Sequence, residues 1–457
     1  MDDPADIWTI DGSLNTLSDR PGMDSQETNS YGIKITKNFI NFDLQSFTSS
    51  TKTDVIFSYD ADWGNPDSHF PYIYDYFSET LRKRDTFSQE IRILSKNTDF
   101  SQKKPFEWVF GMDFSELEET NVTRDDGIYG DPSDPYGPYA SESVISRNYK
   151  AENFSLFGNI DYFLTKNYKL AIGLRWENWD SKYNDSNQES FNPSDNMNGG
   201  KISLIKNNES SNIYLSIAKG YKQGGFNIGL DATDSSIKDS LIYDPEFLIN
   251  YEIGVNSNGN DTNLNYSAVI FFSKREDQQV LISKQIDPTD PNTFSYLTQN
   301  AAEGENYGLE ISSNYFVSDN LNLFANFGFL KTKIKNWESR IDLEDRAQAH
   351  APEKTYSVGM NYDLKNNFYL KFDINGKSSF YYSDSHDNKS QSYQLININF
   401  GYSKDNISAE LWIRNALDKY YSTRGFYFGN EAPNFEDTLY RRQGDPKNLG
   451  LSLRYNF

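Results

Sequence analysis

The chain finishes on "LGLSLRYNF" (449–457), and its side chains alternate to the last residue. Leu451, Leu453, Tyr455 and Phe457 fall on one face, with Ser452, Arg454 and Asn456 on the other. That is the two-residue period of a β-strand. Chain ends ordinarily fray, and a polar tail costs nothing. An apolar face carried to the terminus must instead be held in a sheet, against something apolar.

The same period recurs along the chain. In "YKLAIGLRW" (168–176), Tyr168, Leu170, Ile172, Leu174 and Trp176 alternate with Lys169, Ala171, Gly173 and Arg175. "YSAVIFF" (266–272), "NLNLFANFGF" (320–329) and "FYLKFDI" (368–374) repeat it. No segment keeps a 3.6-residue period over three turns, so almost no helix is predicted. The longest unbroken apolar run is "AVIFF" (268–272), far short of the ~18–20 residues of a spanning helix. A barrel strand needs only ~9–11 alternating residues, which a search for apolar helices misses.

Loop lengths sort by side. Short turns fall at 37–38, 166–167, 207–211, 258–261, 317–320, 364–367 and 403–406. Between them lie longer stretches rich in Asp, Pro, Gly and Ser, near 61–79, 123–142, 183–195, 227–243, 286–293, 337–348, 384–388 and 422–439. Tight turns at one end and large loops at the other describe a membrane barrel. A soluble sandwich has no reason to sort loops this way, and neither a propeller nor a solenoid repeat is present. The expectation is an all-β, antiparallel transmembrane barrel of about 17 strands. The first strand is predicted over "SYGIKIT" (30–36) after an extracellular loop segment 1–29, with the barrel over 30–457 and its C-terminal strand over 440–457. The last strand is expected to close the barrel by pairing with the first, since lipid cannot solvate bare strand edges.

Composition narrows the function. The 66 acidic against 44 basic residues give a formal charge of −22, which argues against nucleic acid as a partner. There are no cysteines, hence no disulfide frame or thiolate chemistry. The opening "MDDPADIWTIDG" has neither the basic nor the apolar region of a signal peptide.

A series of motifs resembles one family. "FSQEIRILS" (87–95), "FEWVFGMDF" (106–114), "AKGYKQGGFN" (218–227) and "YDPEFLINYEIGVNS" (243–257) are followed by "QNAAEGENYGLEIS" (299–312), "AHAPEKTYSVGMNY" (349–362), "NALDKYY" (415–421) and the closing "QGDPKNLGLSLRYNF". In this order they resemble the barrel of TonB-dependent outer-membrane receptors of the iron-complex (siderophore) type. The resemblance implies a 22-stranded barrel closed by an N-terminal plug, located in the bacterial outer membrane. An odd count of 17 that ends descending also begins descending, which fits the sixth of 22 strands. The expectation is therefore the C-terminal part of a longer receptor, with the plug and its TonB contact supplied from outside this segment. The implied partners are outer-membrane lipid and lipopolysaccharide, the TonB complex, the barrel-assembly machinery and a ferric chelate or similar scarce solute. Phe457, with Tyr455, resembles the signal that the assembly machinery recognises.

Candidate ligand contacts lie where strands meet long loops. "YKQGGFN" supplies Tyr221, Lys222, Gln223 and Phe226 as candidates, with relief of crowding at a strand bend by Gly224 and Gly225 the favoured alternative. "RGFYFGNEAPNF" supplies Arg424, Phe426, Tyr427 and Phe428, aromatics with a cation that suit a chelate or sugar face. The three histidines are His69, His350 and His386. His69 and His386 fall in outer loops, where solvated side chains are a better reading than iron or haem ligation. "DDGIYGDPSDPYG" (125–137) lacks the alternating spacing of a calcium loop. "GKSS" (376–379) lacks the upstream glycine of a phosphate loop. No metal, cofactor or catalytic constellation is predicted, and the chain is not expected to be an enzyme. A passive porin-like channel, filtering by charge and size, and a surface adhesin are the alternative functions.

Overall fold

The computed structural model describes residues 8–9, 17–96, 105–229, 241–257, 263–285, 294–384, 386–428, 436 and 438–456. Among the described residues, seventeen long strands form one rolled antiparallel sheet in which chain neighbours are sheet neighbours, with the two-residue Ser190–Phe191 added beside Tyr183–Asn184. They are β1 (Met23–Asn38), β2 (Phe42–Asp60), β3 (Ile73–Ser95), β4 (Phe106–Gly130), β5 (Tyr139–Phe163) and β6 (Tyr168–Asp185). Next come β7 (Ser194–Asn207), β8 (Ser211–Lys222), β9 (Glu246–Ser257), β10 (Leu264–Gln285), β11 (Phe294–Ser318) and β12 (Leu321–Lys335). The set ends with β13 (Lys354–Asp363), β14 (Phe368–Lys377), β15 (Tyr393–Lys404), β16 (Ile407–Arg414) and β17 (Asn448–Tyr455). Among the described residues the helical content is two 3-10 turns, Glu338–Leu343 and Lys365–Asn367.

The sheet is turned inside out relative to a soluble domain. In β8, Leu215 and Ile217 are 52% and 48% exposed while Ser216 between them is 5% exposed. Ser155 is fully buried between Phe154 and Leu156, and Ser203 lies hidden between exposed Ile202 and Leu204. Apolar side chains form the exterior and polar ones the interior, an arrangement that suits hydrocarbon outside and water within. At the short-turn end, Phe39 stacks on Phe42 at 4.7 Å and Phe368 on Phe400 at 5.6 Å. These rings belong to the aromatic belt that marks a membrane interface. No helix among the described residues is long and apolar enough to cross a membrane.

Several predicted boundaries move. β1 begins at Met23 rather than Ser30, and Trp8–Thr9 forms a short strand paired with Thr438–Gln443. The predicted loops 61–79 and 123–142 shrink to 61–72 and 131–138, because β3, β4 and β5 run 23, 25 and 25 residues. At about 3.3 Å per residue, such strands outreach a ~30 Å hydrocarbon layer and stand well clear of it. There both faces are wet, so alternation vanishes and Thr, Asp and Asn read as loop. They are held instead by cross-strand pairs such as Ser78–Asp125, Thr80–Thr123 and Arg84–Glu119.

The final strand is also corrected. Residues 440–457 are not one strand: Thr438–Gln443 pairs with Ser422–Phe428 in an outer hairpin, and Asn448 opens β17. β17 pairs with β16, and β1 with β2. No β1–β17 ladder occurs among the described residues, and every residue of β1 is exposed. The two edges communicate through their outer loops. Trp63 packs edge-on against Phe426 at 5.5 Å and Tyr440 at 5.4 Å of the hairpin. Each such ring contact contributes about 0.5–1.5 kcal/mol beyond area. Trp63→Ala is expected to free the hairpin, seen as faster proteolytic cutting within 415–447 while the folded barrel's gel mobility is unchanged.

Candidate functional site

The long-loop end holds a cavity of about 540 Å³. Its walls are the outer end of β10, the loops 336–353 and 378–392, and the hairpin strand Ser422–Phe428.

β10 is irregular where it reaches the cavity. Its register against β11 shifts between Arg275 and Gln279, and Asp277 has a φ of 53°. Such a bulge re-aims side chains. Glu246, 6% exposed, fixes the result: it accepts from Arg275 Nε at 2.6 Å and from the Gln279 amide at 2.9 Å. Gln278 and Gln348 face each other across the cavity floor, and the Gln348 amide donates to Thr332 Oγ1 at 2.9 Å. Beneath, Val280, Ile334, Trp337 and Leu343 form a small buried core.

The loop 378–392 is held from below. Arg346 donates to the carbonyls of Ser383 at 2.6 Å and His386 at 2.9 Å, and lies 4.0 Å over the Tyr381 ring. Asp384 accepts from the Ala349 amide at 2.9 Å. The His386 Nδ1 accepts from the Asn388 amide at 3.3 Å. Burial pushes the His350 and His386 imidazoles below their ordinary value, with the Arg424 charge adding to the effect at His350. Both are therefore neutral near neutral pH. Burial pushes the Asp384 carboxyl up.

The predicted contact residues divide. Arg424 and Phe426 line the cavity. Tyr427 stands beside it, its hydroxyl accepting from Asn388 at 2.8 Å and its ring 5.2 Å from His386. Phe428 pairs with Thr438 through its backbone; its side chain lies outside the described residues. The other group serves the neck of the loop 223–245. The Tyr221 hydroxyl donates to Glu177 at 3.0 Å, Lys222 is exposed opposite Glu246, and the Gln223 carbonyl accepts from Gln279 at 2.8 Å. Phe226 stacks on Phe191 at 5.1 Å and packs against Tyr183 at 5.0 Å, which makes it a loop anchor. A Cβ on Gly224 would meet the Tyr243 carbonyl at 2.5 Å, and one on Gly225 the Tyr243 hydroxyl at 2.3 Å. The crowding explanation accounts for both glycines. Tyr455 is exposed on β17, and Phe457 lies outside the described residues.

The reading of His69 as solvated is corrected. It is 2% exposed, with Nε2 3.4 Å from Asp62 Oδ1. Asp62 also accepts from the amides of Gly64 at 2.9 Å and Tyr76 at 2.6 Å. Burial pushes this carboxyl up, but His69 and the two amides outweigh it and hold it below the ordinary carboxylate value. A depressed carboxylate stabilises above its unfolded value of about 3.9 and loses that contribution as pH falls through the folded value. Acidification below about pH 4 is expected to loosen loop 61–72, and Asp62→Asn to loosen it at neutral pH. Hydrogen exchange at the Tyr76 amide measures both. The Asp-rich loop consumes its own carboxylates: Asp131 accepts from Ser133, and Asp134 from the Tyr136 amide and the Tyr139 hydroxyl. No group of three or more metal-ligating side chains occurs among the described residues.

Comparison with known proteins places this architecture. A family model described as "TonB dependent receptor-like, beta-barrel" matches residues 2–416. The chain belongs to this TonB-dependent receptor-like β-barrel family. A curated relative, the probable TonB-dependent siderophore receptor PiuA of Acinetobacter baumannii, is 29% identical over 192 residues, 40% of this chain and 24% of that protein. The solved structure of the A. baumannii siderophore receptor PiuA superposes with a TM-score of 0.70 at 18% identity, covering 94% of this chain and 64% of that one. The ferric yersiniabactin uptake receptor FyuA of Yersinia pestis gives 0.70 at 16% identity, covering 94% and 61%. This barrel thus spans less than two thirds of the length of these relatives. At such identities the superpositions speak for the fold.

Proposed function

We propose that this barrel is the membrane-spanning part of an outer-membrane receptor that imports a ferric siderophore or similar scarce solute by TonB-dependent uptake. The seventeen long strands from Met23 to Tyr455 form its wall. The carrying observation is the mouth cavity, built by four outer elements of a barrel whose family is one of TonB-dependent receptors. Its lining joins an aromatic ring (Phe426), a cation (Arg424), two neutral imidazoles and the amides of Gln278 and Gln348. This suits a chelate whose periphery offers carbonyl and anionic oxygens. The apolar exterior supports residence in outer-membrane lipid beside lipopolysaccharide. The C-terminal strand, ending in an aromatic, supports delivery by the barrel-assembly machinery. Release into the periplasm would draw on force transmitted by TonB, since the outer membrane holds no ATP.

The test is uptake of radiolabelled ferric chelates by iron-starved cells with and without the gene. Import that depends on the gene and stops when the inner-membrane proton gradient is collapsed is the expected result. Gene-dependent import that continues without the gradient would instead establish a passive channel. Chelate binding without import would establish a surface-binding protein.

A further inference from the structure

The charges brought to the mouth cavity do not cancel. Arg275 is neutralised by Glu246 at 2.5 Å. Arg346, behind the loop 378–392, is committed to two carbonyls and to Asp387 at 3.4 Å. Arg424 differs. It is exposed, it lines the cavity, and no carboxylate lies within ion-pair distance of it among the described residues. The hairpin register places Arg442 directly opposite Arg424, with Arg441 next in the chain. Like charges facing each other across a strand pair are destabilising. Among the described residues no carboxylate pairs with them, on a hairpin of a chain whose net charge is −22. Among the described residues Asp384 is the single carboxylate on the cavity wall, and one of its oxygens is taken by the Ala349 amide. Burial pushes that carboxyl up and both imidazoles down. Arg424 with Arg442 opposite it makes this rim of the cavity locally cationic on an anionic protein.

We propose, resting on the ferric-chelate reading above, that this cavity selects chelates of net negative charge. Arg424 closes on an anionic oxygen of the chelate, and Arg442 adds its charge from across the hairpin. A guanidinium presents a planar fork that matches a carboxylate or catecholate pair. The ring of Phe426, two residues along on the same hairpin face, supplies an apolar surface beside it. An uncharged chelate would leave the facing arginines unrelieved.

The protein, expressed from its own reading frame and purified from outer membranes in detergent, is titrated with three probes by tryptophan fluorescence. Two are anionic, ferric dicitrate and a ferric tris-catecholate; the third is a neutral ferric tris-hydroxamate. At least one anionic probe is expected to bind ten-fold or more tightly than the neutral one. Arg424→Gln is expected to lower that affinity about 10- to 100-fold, Arg442→Gln less, and Arg424→Lys to keep part of it. Added salt should weaken the anionic probe selectively. A heat-dependent gel shift reports the fold of each variant, and the wild-type preference needs no variant at all. Equal or tighter binding of the neutral probe, or a preference unchanged in folded Arg424→Gln, overturns the charge selection while leaving ferric-chelate receptor function standing. Binding of none of the three overturns both.

Discussion

Leu215→Arg is expected to cost about 2–4 kcal/mol of folding stability in a lipid bilayer. Leu215 sits on β8 between Leu204 of β7 and Ile253 of β9, and all three are exposed. On a soluble protein a half-exposed leucine changed to arginine would alter stability by no more than about 0.5 kcal/mol. The two environments thus differ by several-fold in the expected effect, at a site with no ligand, ion pair or core contact to confuse it. The measurement is denaturant unfolding of the protein refolded into vesicles of thin-chain phosphatidylcholine. Lys206→Arg, on the adjacent strand at the short-turn end near the Tyr168 ring, provides the interfacial comparison, expected near zero. A Leu215→Arg penalty as small as that of Lys206→Arg would mean that hydrocarbon does not meet this face.

The wall of the barrel was legible because each membrane-level residue obeys one constraint. Leu170, Ile172 and Leu174 face out and Arg175 faces in, where it meets Asp113 at 3.3 Å and Glu177 at 2.8 Å. Two solvents, one per face, print a period of two, and the count of seventeen follows from it. Above the membrane one solvent bathes both faces. There the print fades, and the outer halves of β3, β4 and β5 read as loop. The site was legible only in part for a different reason. Arg424 and Phe426 announce themselves as a cation among aromatics in one short run. His350 and His386 meet in one cavity from separate loops, and nothing local to either links them. Burial of His69 was hidden likewise, since its partner Asp62 looks like any loop aspartate. One clue was available: of three histidines in 457 residues, two line the same cavity. Rarity made each worth placing, but only the loop packing could say where.

Glu246→Ala is expected to cost about 3 kcal/mol and to dismantle one cavity wall. The carboxylate accepts from Arg275 and from the Gln279 amide, and its side chain is 7% exposed against 23% for Arg275. Removing one partner of a buried pair typically costs about 3–5 kcal/mol because the other charge stays behind unpaired. Water reaches Arg275 in part, which places the expectation at the lower end of that range. The bulge then loses the contact that fixes it, and Gln278, Gln279 and Gln348 lose their positions. Glu246→Gln keeps an acceptor but not the charge, so it should fall between. The decisive form is a double-mutant cycle with Arg275→Met, read by denaturant unfolding and by affinity for whichever chelate binds. Replacing both partners by apolar groups removes the stranded charge, so the double variant should be more stable than Glu246→Ala alone. Strict additivity of the two single changes would show that the pair does not hold the bulge. The cavity wall would then have to owe its shape to the Val280–Ile334–Trp337–Leu343 core beneath it.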